Sequence, residues 1–124
     1  RSYSVTGVQT CALPISIDQR IKEGDVLIID SIKLEVLESP GHSHGGLIFA
    51  DNNNKILFVG DSLFQGSIGR TDFGGNYEEL MSSIKNKIMK NPKVDDSFQI
   101  FPGHGPNTTV AIEKRINPFR KDFL

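Results

Sequence analysis

From residue 25 onward, apolar and polar positions follow one another in short runs. DVLIID (25–30) leads into IKLEVLE (32–38), where Ile32, Leu34 and Val36 alternate with Lys33 and Glu35. A period of two sends neighbouring side chains to opposite faces, so this stretch reads as a half-buried strand. LIFAD (47–51) and KILFVGD (55–61) follow, separated by Asn52, Asn53 and Asn54, whose tolerance of left-handed backbone angles suits a hairpin turn. Four strands are therefore expected before any helix. The period then lengthens. Leu80, Met81, Ile84 and Ile88 fall on one face of a helix predicted over residues 77–90, with Asn76 as N-cap, Glu79 at the capping-box position and Pro92 as the stop. FQIFPGH (98–104) reads as a short strand running into a glycine-rich turn. TVAIEKRI (109–116) reads as a second helix, capped by Thr108 or Thr109 and closed by Pro118. The pattern predicts an α/β (α+β) fold in which helices pack on a mostly antiparallel sheet.

Residues 1–16, RSYSVTGVQTCALPIS, carry neither period and lack the continuous apolar core of a signal peptide. VTGVQTCALPI within them resembles the conceptual translation of a sequencing-library adapter. This segment is therefore expected to be foreign to the fold, leaving residues 17–124 as the domain, and Cys11 is expected to carry no chemistry. Cys11 is the only cysteine, so an intramolecular disulfide and a cysteine-based zinc knuckle are both excluded, which fits a reducing, cytoplasmic setting. Fourteen Lys and Arg against fifteen Asp and Glu give a net charge of -1. That balance offers no basic surplus to draw nucleic acid or anionic lipid, and no apolar run approaches the ~20 residues needed to cross a bilayer.

Three segments carry candidate chemistry: SPGHSHGG around His42, FVGDSLF around Asp61 and FPGHGP around His104. In each, a ligand-type side chain directly follows a glycine at an expected strand end. Glycine lets backbone approach closely, strand ends are rigid, and imidazole and carboxylate are donors that zinc, iron or manganese accept.

PGHSHGG, GDSLFQGSIGRTDFGGNYEELMSSI and PGHGPNTTVAIEKRINPF together resemble the second half of the metallo-β-lactamase superfamily, in particular its glyoxalase II-like (hydroxyacylglutathione hydrolase-like) members. The resemblance implies half of an αββα sandwich, with helices on one face of the sheet. It implies a site for two metal ions, zinc first and iron or manganese as alternatives. His42 and His104 match histidine ligands of one ion each, and Asp61 matches the catalytic aspartate that bridges them. The other ligands of the family come from an HxHxDH motif, which occurs nowhere in this chain. HSHGG at residues 42–46 imitates only its start, and His44 is expected to be a polar loop residue. The motif is expected in a missing amino-terminal half.

The implied reaction is hydrolysis of a small-molecule thioester by a metal-bridging hydroxide. The 124-residue chain itself is expected to be inactive. Arg70, in GSIGRTDFGG, has two readings. One is a substrate-carboxylate ligand, and the other is a loop tie to Asp72. Two alternatives to thioester hydrolysis stand beside it: an iron oxidoreductase of the persulfide dioxygenase-like group, which shares GRTDF (69–73), and a truncated fragment with no catalysis. Oligomeric state is not encoded in any of these features.

Overall fold

The computed structural model describes the backbone of Ser2–Ser4 and residues 21–124. Cys11 and the whole adapter-like stretch, residues 5–15, lie outside the described residues. Strands β1 (Ser2–Ser4), β2 (Val26–Ile29), β3 (Ile32–Glu38), β4 (Leu47–Asp51) and β5 (Ile56–Gly60) come first. A small hairpin, β6 (Leu63–Phe64) and β7 (Ser67–Ile68), precedes helix α1 (Tyr77–Ile84). Then come β8 (Gln99–Pro102), β9 (Thr108–Thr109), α2 (Val110–Ile116) and α3 (Arg120–Phe123).

Seven strands form one sheet in the order β1-β2-β3-β4-β5-β8-β9. The β1–β2 and β5–β8 pairs are parallel and the rest antiparallel. The fold is thus mixed α/β with a mostly antiparallel sheet. The parallel β5–β8 pair matters most for the site. Its crossover, carrying the small hairpin and α1, brings the carboxyl ends of two distant strands side by side.

The helices cover one face. Leu37, Ile48, Ala50, Leu57, Val59 and Ile100 from the sheet pack there with Leu80, Ile84 and Ile88 from the α1 segment and Phe123 from α3. On the opposite face Leu27, Leu34 and Val36 cluster with Leu47, Phe49 and Phe58. Strands β2, β4 and β5 (VLII, LIFAD, ILFVG) are apolar on both sides, as in a sheet buried between two layers.

Several expectations change in detail. The predicted helix over 77–90 is α only to Ile84 and continues as a π-helical turn, Lys85–Met89. The wider i→i+5 bonding, closed by Lys90 N donating to Lys85 O at 2.8 Å, coincides with burial of the adjacent side chains Ile88 and Met89. In the β4–β5 turn the left-handed residue is Lys55, at φ 58°, and not an asparagine. Asp51 holds that turn by accepting from Asn54 N and Asn54 Nδ2. Thr109, rather than Thr108, caps α2 by accepting from Ile112 N at 3.1 Å. The strand at Ser2–Ser4 falls where no element was expected. Edge pairing runs through backbone groups and needs no side-chain period, so periodicity is blind to it.

Candidate metal centre

His42 sits in the turn that follows β3. Ser39 N donates to Gly46 O at 2.8 Å and closes this turn, and Asn76 N, at the mouth of α1, donates to Gly41 O at 2.7 Å. Gly41 lies at φ +137°, and a Cβ there would fall 2.3 Å from the Leu80 backbone. Only glycine lets the turn press against α1.

Asp61 follows Gly60 at the end of β5, and His104 follows Gly103 just beyond β8. Gly103 N donates to Gly60 O at 2.8 Å, which extends the parallel pairing into the two turns. A Cβ on Gly103 would lie 3.0 Å from Asp61 Oδ1, and one on Gly69 would lie 1.8 Å from the Asp61 carbonyl oxygen. The glycines make a cradle around Asp61 that any side chain would fill.

The three predicted ligands meet. His104 Nδ1 is 2.9 Å from Asp61 Oδ1, and His42 Nε2 is 3.6 Å from Asp61 Oδ2. His42 Nδ1 lies 2.7 Å from the carbonyl oxygen of Arg70. A carbonyl only accepts, so Nδ1 carries the proton, and in the neutral ring the Nε2 lone pair faces Asp61 Oδ2. Two acceptors then face each other with no proton between them, an arrangement that a cation satisfies. A histidine held by an acceptor at Nδ1 is also the usual preparation of an Nε2 metal ligand. His42, Asp61, Ser62 and Gly103 line a cavity of about 200 Å³ at this point.

The donor chemistry therefore fits a metal ion, but the set is partial. The arrangement is a chain, His42–Asp61–His104, with Asp61 in the middle. Among the described residues no group of three His, Cys, Asp or Glu side chains could hold a metal ion by itself. His104 is the loosest member, with its side chain 77% exposed beside the Phe64 ring.

The guanidinium of Arg70 turns away to its own loop. It donates to both carboxylate oxygens of Asp72, at 3.0 and 2.8 Å, and lies 4.3 Å over the Phe73 ring. The hydrogen bond to Asp72 raises the pKa of the guanidinium, and the same bond lowers that of Asp72. What Arg70 gives the centre directly is its backbone oxygen. His44 is exposed in the turn.

Two polar contacts beneath the centre were not anticipated. Ser39 Oγ and Ser62 Oγ share a buried hydrogen bond of 2.9 Å, which ties the ends of β3 and β5. Glu113, wholly buried on α2, accepts from Thr108 Oγ1, Asn117 Nδ2 and Gly66 N. The sequence does hold a signal for the second. Glu113 and Asn117 fall at i+3 and i+7 from the buried Val110, on the inward stripe where polar side chains need partners.

A family model described as "Metallo-beta-lactamase superfamily" matches residues 10–104. Hydroxyacylglutathione hydrolase GloC of Haemophilus influenzae is 46% identical over 99 residues, covering 79% of this chain and 45% of that protein. Among solved structures, ETHE1 from Myxococcus xanthus is 29% identical with a TM-score of 0.71, covering 84% of this chain and 48% of that one. TTHA1623 in a di-iron-bound form is 40% identical with a TM-score of 0.64, covering 69% and 42%. The chain thus spans about half the length of the relatives it matches.

Proposed function

Since the chain belongs to the metallo-β-lactamase superfamily, we propose that it supplies the His42–Asp61–His104 part of a metallo-hydrolase centre whose whole protein hydrolyses thioesters. The observation that carries this reading is the meeting of both histidines on the two oxygens of one carboxylate, each following a glycine at the end of its own strand. The relative named for hydroxyacylglutathione hydrolysis supports the thioester class of substrate.

In this reading His42 and Asp61 are metal donors with their positions set by backbone, and His104 is the third. His42, Asp61 and His104 would hold a metal there, and the chemistry it would supply is activation of water for attack and polarisation of a scissile carbonyl. Arg70 O orients the His42 ring, and the Arg70 guanidinium, at the rim, is the cation available to a substrate carboxylate once it exchanges Asp72 for that ligand. Zinc is the metal we propose, and the di-iron form of a 40% identical relative supports iron as the alternative. The remaining ligands come, in this proposal, from an HxHxDH segment of the whole protein.

The test is thioester hydrolysis, with zinc, iron or manganese added, by the 124-residue chain and by a protein that joins it to an HxHxDH-bearing preceding half. Metal-dependent turnover is expected only from the joined protein. Equal turnover by the chain alone would show that the HxHxDH ligands are dispensable and overturn the division of the site. The second reading, iron-dependent oxygen chemistry of the persulfide dioxygenase-like group, rests on the GRTDF loop segment at residues 69–73. Oxygen consumption by the iron-loaded protein, in place of hydrolysis by the zinc-loaded one, would favour it.

A further inference from the structure

Glu113 has no place in the metal chemistry above, yet it is a carboxylate with no exposed surface, and all three of its hydrogen-bond donors are neutral. Burying such a group is costly unless every lone pair in use is matched, so its surroundings are strongly constrained. Those surroundings lead to the centre. Oε1 accepts from Gly66 N at 3.0 Å and from Asn117 Nδ2 at 2.8 Å. Asn117 Nδ2 also donates to Ser67 O at 3.1 Å, so α2 and the residue after it grip the backbone on either side of the Gly66–Ser67 peptide in the β6–β7 hairpin. Two residues further on, Gly69 N donates to Ser62 O at 3.1 Å and its Cα packs on the Asp61 carbonyl. The next residue is Arg70, whose carbonyl oxygen holds His42 Nδ1.

We propose that Glu113 is a positioning residue for the candidate centre: by pinning Gly66 and, with Asn117, Ser67, it fixes the loop whose Arg70 carbonyl keeps His42 in the Nδ1–H tautomer with Nε2 turned to Asp61. This rests on the reading of His42 as a metal ligand. Thr108, at 2.6 Å from Oε2, completes the pin by tying it to the strand that follows the His104 turn.

Long-range proton–nitrogen spectra of the histidine rings in the 124-residue chain test the proposal, since a merely stabilising role would not change a tautomer. The wild-type chain is expected to show His42 as Nδ1–H, and Glu113→Ala is expected to lose that signature. Glu113→Gln is expected to keep it. Its amide oxygen can serve Gly66 N and Asn117, while its NH2 donates to a Thr108 hydroxyl that has turned to accept. Survival of the signature in a folded Glu113→Ala chain, or its loss in a folded Glu113→Gln chain, would overturn the proposal. If Glu113→Ala does not fold, Asn117→Ala takes its place with the same expectation, because it cuts the same grip at Ser67. Zinc chloride added to the protein that joins the chain to an HxHxDH-bearing preceding half reads the underlying assignment separately. A shift of the His42 Nε2 resonance supports ligation, and a zinc-silent His42 overturns the ligand role and the positioning role built on it. A zinc-responsive His42 that stays Nδ1–H in Glu113→Ala overturns the positioning role alone.

Discussion

At the scale of single residues, the glycines decide whether the centre exists. Gly41 and Gly45 stand four residues apart in the same turn, and they separate backbone need from mere composition. Gly41 combines φ +137° with the Leu80 backbone 2.3 Å from where a Cβ would sit, whereas nothing lies within 4 Å of a Cβ on Gly45. Gly41→Ala is expected to lower stability by about 2–3 kcal/mol through overpacking and strain. Gly45→Ala is expected to stay within about 0.5 kcal/mol of wild type. Chemical denaturation of both variants checks this, and equal losses would show that the turn relaxes around the new methyl. The candidate donors were legible because a ligand-type side chain after a glycine recurs three times. Their mutual geometry was not. No sequence feature says that Asp61 Oδ1 faces His104 Nδ1, because that contact depends on the parallel register of β5 and β8.

At the scale of elements, the pattern of apolar positions located β2, β4, β5 and β8 as short apolar runs, β3 by its alternation, and α1 and α2 by helical spacing. It was silent on α3, a single turn whose Phe123 is buried, since four residues are too few to display a period. What seats α3 is in part a side-chain contact with α1, the Tyr77 hydroxyl donating to Asp122. That bond, with burial and the negative charge of Asp122, pushes the Tyr77 pKa from 10.0 up to about 12. The folded value exceeds the unfolded one, so the protonated phenol stabilises the fold fully below pH 10, and the contribution disappears as pH rises through about 12. The informative quantity is the difference between wild type and a variant that lacks only the hydroxyl. Wild type is expected to lose stability more steeply than Tyr77→Phe between pH 10 and 12. Parallel stability curves for the two proteins would show that the hydroxyl does not fasten α3.

At the scale of the whole molecule, the two faces of the sheet are the central fact. An antiparallel sheet with one wet side alternates apolar and polar residues, but LIFAD and ILFVG do not, and Phe58 and Phe101 stack edge to face at 5.5 Å on the side away from the helices. Among the described residues no helix packs on that side. Such a face suits the inner layer of a sandwich, and the chain spans 45% of the hydrolase relative it matches at 46% identity. We therefore expect a separately produced HxHxDH-bearing half to assemble on this face and to restore metal-dependent thioester hydrolysis in trans. Phe58→Asp tests the face without touching His42, Asp61 or His104. It places an unpaired carboxylate where apolar surface should be covered, and burying a charge in this way costs several kcal/mol. The variant is expected to keep the helix-side core, which Phe58 does not enter, while losing assembly and trans activity together. Sedimentation of the mixed halves reads assembly, and amide exchange at Leu57 and Ile100 reads the core. If Phe58→Asp assembled as well as the wild-type chain, the second half would have to dock elsewhere, and the sandwich reading of this sheet would fail.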